Sequence, residues 1–500
     1  MQKPQNDRTF SSIGVLTFVL ALLVAGVLVA GPAIGTFILS FQEYNLTRGF
    51  SSPFVGLRNY QILLQSPYYA LSVLHSVQFA ALSGLVLLIA GALAGYALRA
   101  LAPRWLRHAL CTLLLIPLLL SGDLWAQAFF AVFPSTAVQS MVALALWCGI
   151  KYVGLAALLT TTALSHGNRS LAAPVLSAAA VALGLFALLG LQDYAFLRQM
   201  SPLSAMRDNI DRFIFNQGII DYSFSVASAI TVNAIALRAL LLAAVAFPVA
   251  ALAKRLFPAN VATAETTVKD RLYSLLAVGI VTLAAAIALV VAASRVPVVE
   301  FMWESLAAYP VYVVMAFVGG AVNTALCFCL ARPVVTTNPA ARRSITAALV
   351  LLTALGSAPI LVGEYLQFRA LGMVGTFFPV LLSGIGSTMG VWALVFAARA
   401  MGVRTDGEWF RRMWRPALAL LAVAAALRMN DTVPPMLYLQ NLDMLHPLQV
   451  MRAVIERDGP SAASYSLVTL VTMTVPVVLL LAVRTVFTER ETVGLAVPRK

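Results

Sequence analysis

A chain of 500 residues that is 61% hydrophobic and 11% charged is unlike an ordinary soluble domain, which carries about 25% charged residues. Its formal charge of +14 raises nucleic acid as a partner, but basic loops beside membrane spans account for such an excess without one. The four cysteines, Cys111, Cys148, Cys327 and Cys329, all lie in apolar runs; Cys327-x-Cys329 lacks the spacing and the histidines of a zinc site, so all four read as small apolar fillers.

A bilayer core about 30 Å thick takes about 20 apolar residues per helix, and backbone groups in lipid are satisfied only in helices or closed barrels. The short alternating segments of a barrel are absent. The expectation is an all-α polytopic membrane protein with about 12 transmembrane helices. In chain order the predicted spans are 12–40, 72–98, 108–133, 136–164, 171–191 and 223–253, then 272–293, 310–331, 344–366, 374–400, 414–429 and 463–487. The first run is too long for a signal-peptide core and reads as an uncleaved span. With the N-terminus inside, basic residues favour the inside loops roughly two to one, which puts both termini in the cytoplasm. The longest outside segments are then 41–71, 192–222 and 429–462, long enough for small ordered structures that receive a partner.

The chain also echoes itself. Pro117 pairs with Pro359, Trp147 with Trp392, Pro174 with Pro416 and Tyr222 with Tyr465, at offsets of 242, 245, 242 and 243 residues. Six spans per half is an even number, so the halves form a parallel repeat about an axis along the membrane normal. The expected division is 1–258, a polar cytoplasmic linker at 259–271, and 272–500.

The segment "SFQEYNLTRGFSSPFVGLRNYQILL", 40–64, follows a helix bearing Pro32 and holds Ser40, Phe41, Tyr44, Phe54, Val55, Gly56, Leu57, Asn59 and Tyr60. It resembles the start of a maltose-type (carbohydrate) permease of the ATP-binding-cassette (ABC) importers. "FIFNQGIIDYSFSVASAI", 213–230, resembles the stretch before that family's last helix. "NTALCFCLAR" and "TERETVGLAVPRK" resemble parts of the partner permease. The resemblance implies two permease-like halves fused in one chain of a bacterial inner membrane. It further implies a periplasmic solute-binding protein, separate ATPase subunits and inward movement of a sugar or similar polar solute.

In that family each permease has a cytoplasmic E-A-A-x-x-D-G-A-x-x-W-x-x-F-x-x-V-x-L-P loop that docks on the ATPase. Here the first loop is "SHGNRSLAAP", with His166, Asn168, Arg169 and Pro174. The second, "RTDGEWFRRMWRP", keeps Asp406, Gly407, Trp409, Phe410, Met413 and Pro416. Neither has the E-A-A. A turn of a few polar residues stays close to the membrane, so an ordinary coupling helix is not expected in the first half, and at most a shortened one in the second. Two readings stand for the first loop, a solvated turn or a minimal partner contact. Two also stand for the second, an anchor on anionic lipid or a partner dock. The rival to the importer is a pseudo-permease, a scaffold or receptor subunit that keeps the fold and not the motor.

Charges inside spans cost at least about 2.5 kcal/mol and mark pathways or partners. Lys151, four residues after Trp147, either lines a pathway, pairs with Asp123, or snorkels; Arg238 shares the ambiguity. Asp123 and Glu364 follow the paired prolines and lie either in water at the outer span ends or in a polar vestibule. A third reading, ion-driven transport, would rest on these two carboxylates. No P-loop, H-E-x-x-H or G-x-S-x-G occurs. The expectation is therefore no enzyme, no catalytic residue, no cofactor and no metal.

Overall fold

A computed structural model describes residues 12–45, 47–49, 51–101, 104–133, 135–165, 168, 170–190, 209–256, 306–357, 360–385, 389–439, 441–450 and 462–487. The linker 259–271, the span 272–293, Pro359 and the tail 488–500 lie outside the described residues. Apart from two isolated bridges near residues 42–54, the regular structure described is helical.

The first half runs α1 (Ser12–Ala25), a π turn, α2 (Gly31–Leu39), α3 (Arg58–Gln65), α4 (Pro67–Ala100), α5 (Arg104–Leu115), α6 (Gly122–Val132), α7 (Met141–Lys151), α8 (Val153–Ser165), α9 (Ala173–Ala187), α10 (Ile210–Phe215) and α11 (Phe224–Leu256). The second half runs α12 (Tyr309–Thr336), α13 (Pro339–Ser357), α14 (Leu361–Ala370), α15 (Phe377–Leu382), α16 (Met389–Ala400), α17 (Asp406–Arg428), α18 (Val433–Tyr438) and α19 (Ala462–Val486).

The polarity of these helices is inverted relative to a soluble bundle. α4 buries Ser72, Ser76, Ser83, Gly91 and Gly95 and turns Leu74, Leu85, Ile89 and Leu93 outward. Small and hydroxylated residues let helix backbones meet, while the large aliphatic side chains need an apolar solvent. Among the described residues, six helices are long and apolar enough to cross a membrane. The chain is a helical membrane protein.

Several expected spans are broken helices. The run 108–133 is α5, a 3-10 turn at Ile116–Leu119 and then α6. Pro117 cannot donate to the helix ladder, and the Ser121 hydroxyl accepts the Leu124 N–H at 3.3 Å to start α6 afresh. The run 344–366 spans the end of α13 and the start of α14, and 374–400 splits into α15 and α16. At 136–164, α7 and α8 join through Tyr152.

Some of these features have counterparts later in the chain. A 3-10 turn at Ser135–Gln139 precedes α7 as α15 precedes α16. α4 packs on α7, α8 and α9, and α12 packs on α16 and α17. α9 meets α11 as α17 meets α19. A Cβ on Gly149 would stand 2.6 Å from the Ser83 carbonyl oxygen, and one on Gly390 would stand 2.7 Å from Cys327 Sγ. Both glycines thus admit the same close approach in the two halves. The halves also interlock. α1 packs on α12, α2 on α14, α11 on α13 and α19 on α5, and Ala21, Ala25 and Val29 share a core with Leu326, Leu330 and Val334.

Candidate functional site

The resemblance-bearing segment 40–65 folds into a compact cap. The buried Asn59 amide donates to the Ser40 and Gln42 carbonyls, each at 2.9 Å. The Tyr60 hydroxyl donates to Ser40 Oγ at 2.8 Å, and Phe41 packs on Phe54 and Tyr60. Tyr44 ties the cap to the start of α11 through Ser225 Oγ, which accepts its N–H at 2.9 Å.

In the first half Trp147 stacks on Trp125 with centroids 4.5 Å apart and donates Nε1–H to the Trp125 carbonyl at 2.9 Å. Phe129 and Phe133 close the cluster edge-on. Lys151 ends α7 and is buried within the bundle. Asp123 occupies the first turn of α6, as Glu364 does that of α14; its side chain lies outside the described residues.

Arg238 is fully buried and does not snorkel. It donates to Asp211 Oδ1 at 2.6 Å and, through Nε, to the Leu188 carbonyl at 3.1 Å. The described part of the region 192–222, from Asn209 on, packs along α4 and α11. A guanidinium within an apolar helix needs a counter-ion; Asp211 supplies it, and Arg238 also caps the Leu188 carbonyl at the C-terminus of α9. Asn209 starts α10 by accepting the N–H groups of Asp211 and Arg212.

The second half brings more chemistry together. Glu364 is half-buried on α14. It faces the Ser383 and Tyr438 hydroxyls, in the field of Arg428 and Asp431. Tyr438 is fully buried, and its hydroxyl points at Glu364 without completing a hydrogen bond in good geometry. Arg428 reaches across α12, where a Cβ at Gly319 would stand 2.9 Å from its guanidinium carbon. It donates to the Val380 and Leu381 carbonyls at 3.4 and 2.7 Å. Of these groups, Ser383, Arg428 and Asp431 line a small cleft of about 20 Å³, together with Tyr312, Met315 and Val380. Sequence reasoning singled out Glu364 and missed its neighbours. The signal was the pair Arg428 and Asp431 at the junction of α17 with the following segment, which read as ordinary loop charge. Behind the cleft His446 is buried, with Nε2 3.0 Å from the Met429 carbonyl and Nδ1 accepting the Leu448 N–H at 3.3 Å. The accepting Nδ1 fixes the proton on Nε2. Burial pushes its pKa down to about 4, against the opposing pull of the Met429 carbonyl.

At the far end of the second half, α17 starts with a capping box between Thr405 and Glu408. The N–H groups of Arg404 and then Thr405 hold the Glu408 carboxyl below the usual carboxylate range. Arg332 grips Asp406 in a two-pronged ion pair, with Nε 3.0 Å from Oδ1. Gly407 is exposed, while Trp409, Met413 and Pro416 are buried against α12 and α16. Phe410 and Trp414, 50% and 51% exposed, face outward among the exposed Arg411 and Arg412. In the first loop, the Asn168 amide donates to the Arg255 and Leu256 carbonyls at 3.0 Å, closing the end of α11; His166 and Arg169 lie outside the described residues.

No family model, curated protein or solved structure matches the chain.

Proposed function

We propose that the chain is the transmembrane permease component of an ABC-type importer for a sugar or similarly polar small solute. It has both permeases fused, about twelve spans, and separate ATPase subunits as its motor. The reading places it in a bacterial inner membrane with both termini cytoplasmic, receiving solute from a periplasmic binding protein. The Glu364–Arg428 pairing carries the reading. Both side chains are half-buried on helices of an apolar bundle, where charge is expensive, and a polar pathway is the usual reason for keeping it. The interlocked parallel halves suit alternating exposure of such a pathway. The resemblance of 40–64 to the maltose-type permeases supplies the transport class.

A second reading, the motorless scaffold or receptor subunit, is favoured by one specific observation. Asn168, Trp409 and Met413 are spent on internal contacts, which leaves, among the described residues of the two loops, the Gly407–Phe410–Trp414 face of α17 for a motor. Labelling separates the two. In cells, Ser383→Cys is expected to react with a membrane-impermeant maleimide, to an extent that changes when ATP is depleted. Absence of labelling, or labelling indifferent to ATP, would favour the scaffold.

A further inference from the structure

α19 contains the apolar run Val468–Val486, and Arg484 lies in its last turn. Arg484 is 9% exposed, so its charge is not carried out into water. Its Nη2 donates to Nδ1 of His108 on α5 at 3.0 Å. A guanidinium only donates, so the imidazole carries no proton on Nδ1. Arg484 Nε is buried and bonded to nothing. Arg107, the neighbour of His108, likewise has a buried and unbonded Nε. α4 ends where α5 begins, and Arg99 in its last turn has a buried and unbonded Nη1. Among the described residues no carboxylate pairs with any of these three guanidiniums.

We infer that Arg484 and Arg107, where α19 meets α5 beside His108, hold the phosphate of an anionic phospholipid headgroup. A buried donor left unmade costs the desolvation of that group, and a buried cation calls for a counter-ion. A phosphate monoanion supplies both, accepting charge-assisted bonds from guanidinium N–H groups. The depth suits a headgroup, since Arg484 stands two residues before the end of a run long and apolar enough to cross a membrane. Leu110 and Leu113, 37% and 52% exposed, follow Arg107 on α5 at helical spacing and offer an aliphatic stripe to the acyl chains. That stripe favours a lipid over free phosphate. Basic pockets between membrane helices are suited to anionic headgroups. The inference rests on the membrane assignment alone, so it holds for an importer and for a scaffold alike.

The test uses the full chain, purified in a neutral detergent and stripped of lipid. Its thermal unfolding is followed with phosphatidylglycerol, with phosphatidylcholine of the same acyl chains, and with sodium phosphate, sodium chloride holding the ionic strength equal. The expected result is a concentration-dependent rise in midpoint with phosphatidylglycerol and none with the other two at the same concentrations. Arg484→Gln and Arg107→Gln should each weaken the apparent affinity for phosphatidylglycerol about tenfold or more. Arg343→Gln, which removes an exposed arginine of α13, should leave it unchanged. An equal rise with phosphatidylcholine would overturn the inference, because the acyl chains alone would explain it. An equal rise with sodium phosphate would overturn it in favour of a site for the free anion. A phosphatidylglycerol effect that survives both variants, or that falls as much in Arg343→Gln, would assign it to the general basic charge of the chain. No rise in any arm would also overturn it. If Arg484→Gln fails to fold, the comparison of Arg107→Gln with Arg343→Gln decides.

Discussion

At the level of single residues, membrane burial turns charge into architecture. Asp211 and Arg238 form an ion pair that is almost wholly buried. Removing one partner strands the other, so Asp211→Asn is expected to cost about 3–5 kcal/mol, whereas replacing both with apolar residues of similar volume should recover much of that loss. Thermal unfolding of the two variants in detergent checks this. His446 gives a pH prediction with a definite sign. Its folded pKa of about 4 lies below the unfolded value of about 6.5, so the unfolded chain binds the proton first as pH falls. Its contribution is complete above about pH 6.5 and is lost as pH drops through about 4, a cost of about 2 kcal/mol at pH 5. A melting series from pH 7.5 to 4.5 should show that slope, and His446→Gln should flatten it. An unchanged slope in the variant would assign the acid sensitivity to other groups.

Among the elements, α17 is where the sequence reading and the structure differ most instructively. "DGEWFRRMWRP" reads as a remnant coupling loop, and Phe410 and Met413 look like equal members of one docking surface. In the fold their burial differs, with Met413 buried beside Trp409 and Phe410 half exposed at the edge of Phe328 and Arg332. Met413→Asp should therefore destabilise the chain by more than about 3 kcal/mol, while Phe410→Asp should change stability by less than about 1 kcal/mol. Only the second tests a partner; loss of ATPase association in that variant, with insertion and melting unchanged, is the expected outcome for a motor contact. The helical, membrane-spanning character was legible from the long apolar runs, because few charged residues interrupt them. The breaks inside the expected spans were less so. Mean apolarity runs straight through Pro117–Ser121, and only the capping serine shows that the helix restarts. Asp211 was hidden for a different reason, since a polar segment re-entering the bundle has the composition of a surface loop.

For the whole molecule, the proposed importer reading requires the N-terminal and C-terminal helices to move against each other. The contacts of α11 with α13 and of α19 with α5 are where such movement would be felt. Close approach inside each half is set by glycine: Gly149→Val would drive a side chain into the Ser83 carbonyl and Val86, and a loss of about 1–3 kcal/mol or more is expected from overpacking, measured as a lower melting midpoint. The decisive measurement is mild-detergent purification of the tagged chain from its native membrane, with quantitative mass spectrometry of its companions. The importer account predicts a P-loop ATPase subunit in stoichiometric amount. Its absence, with other membrane proteins present at a fixed ratio, would contradict that account and leave a permease fold kept as a scaffold.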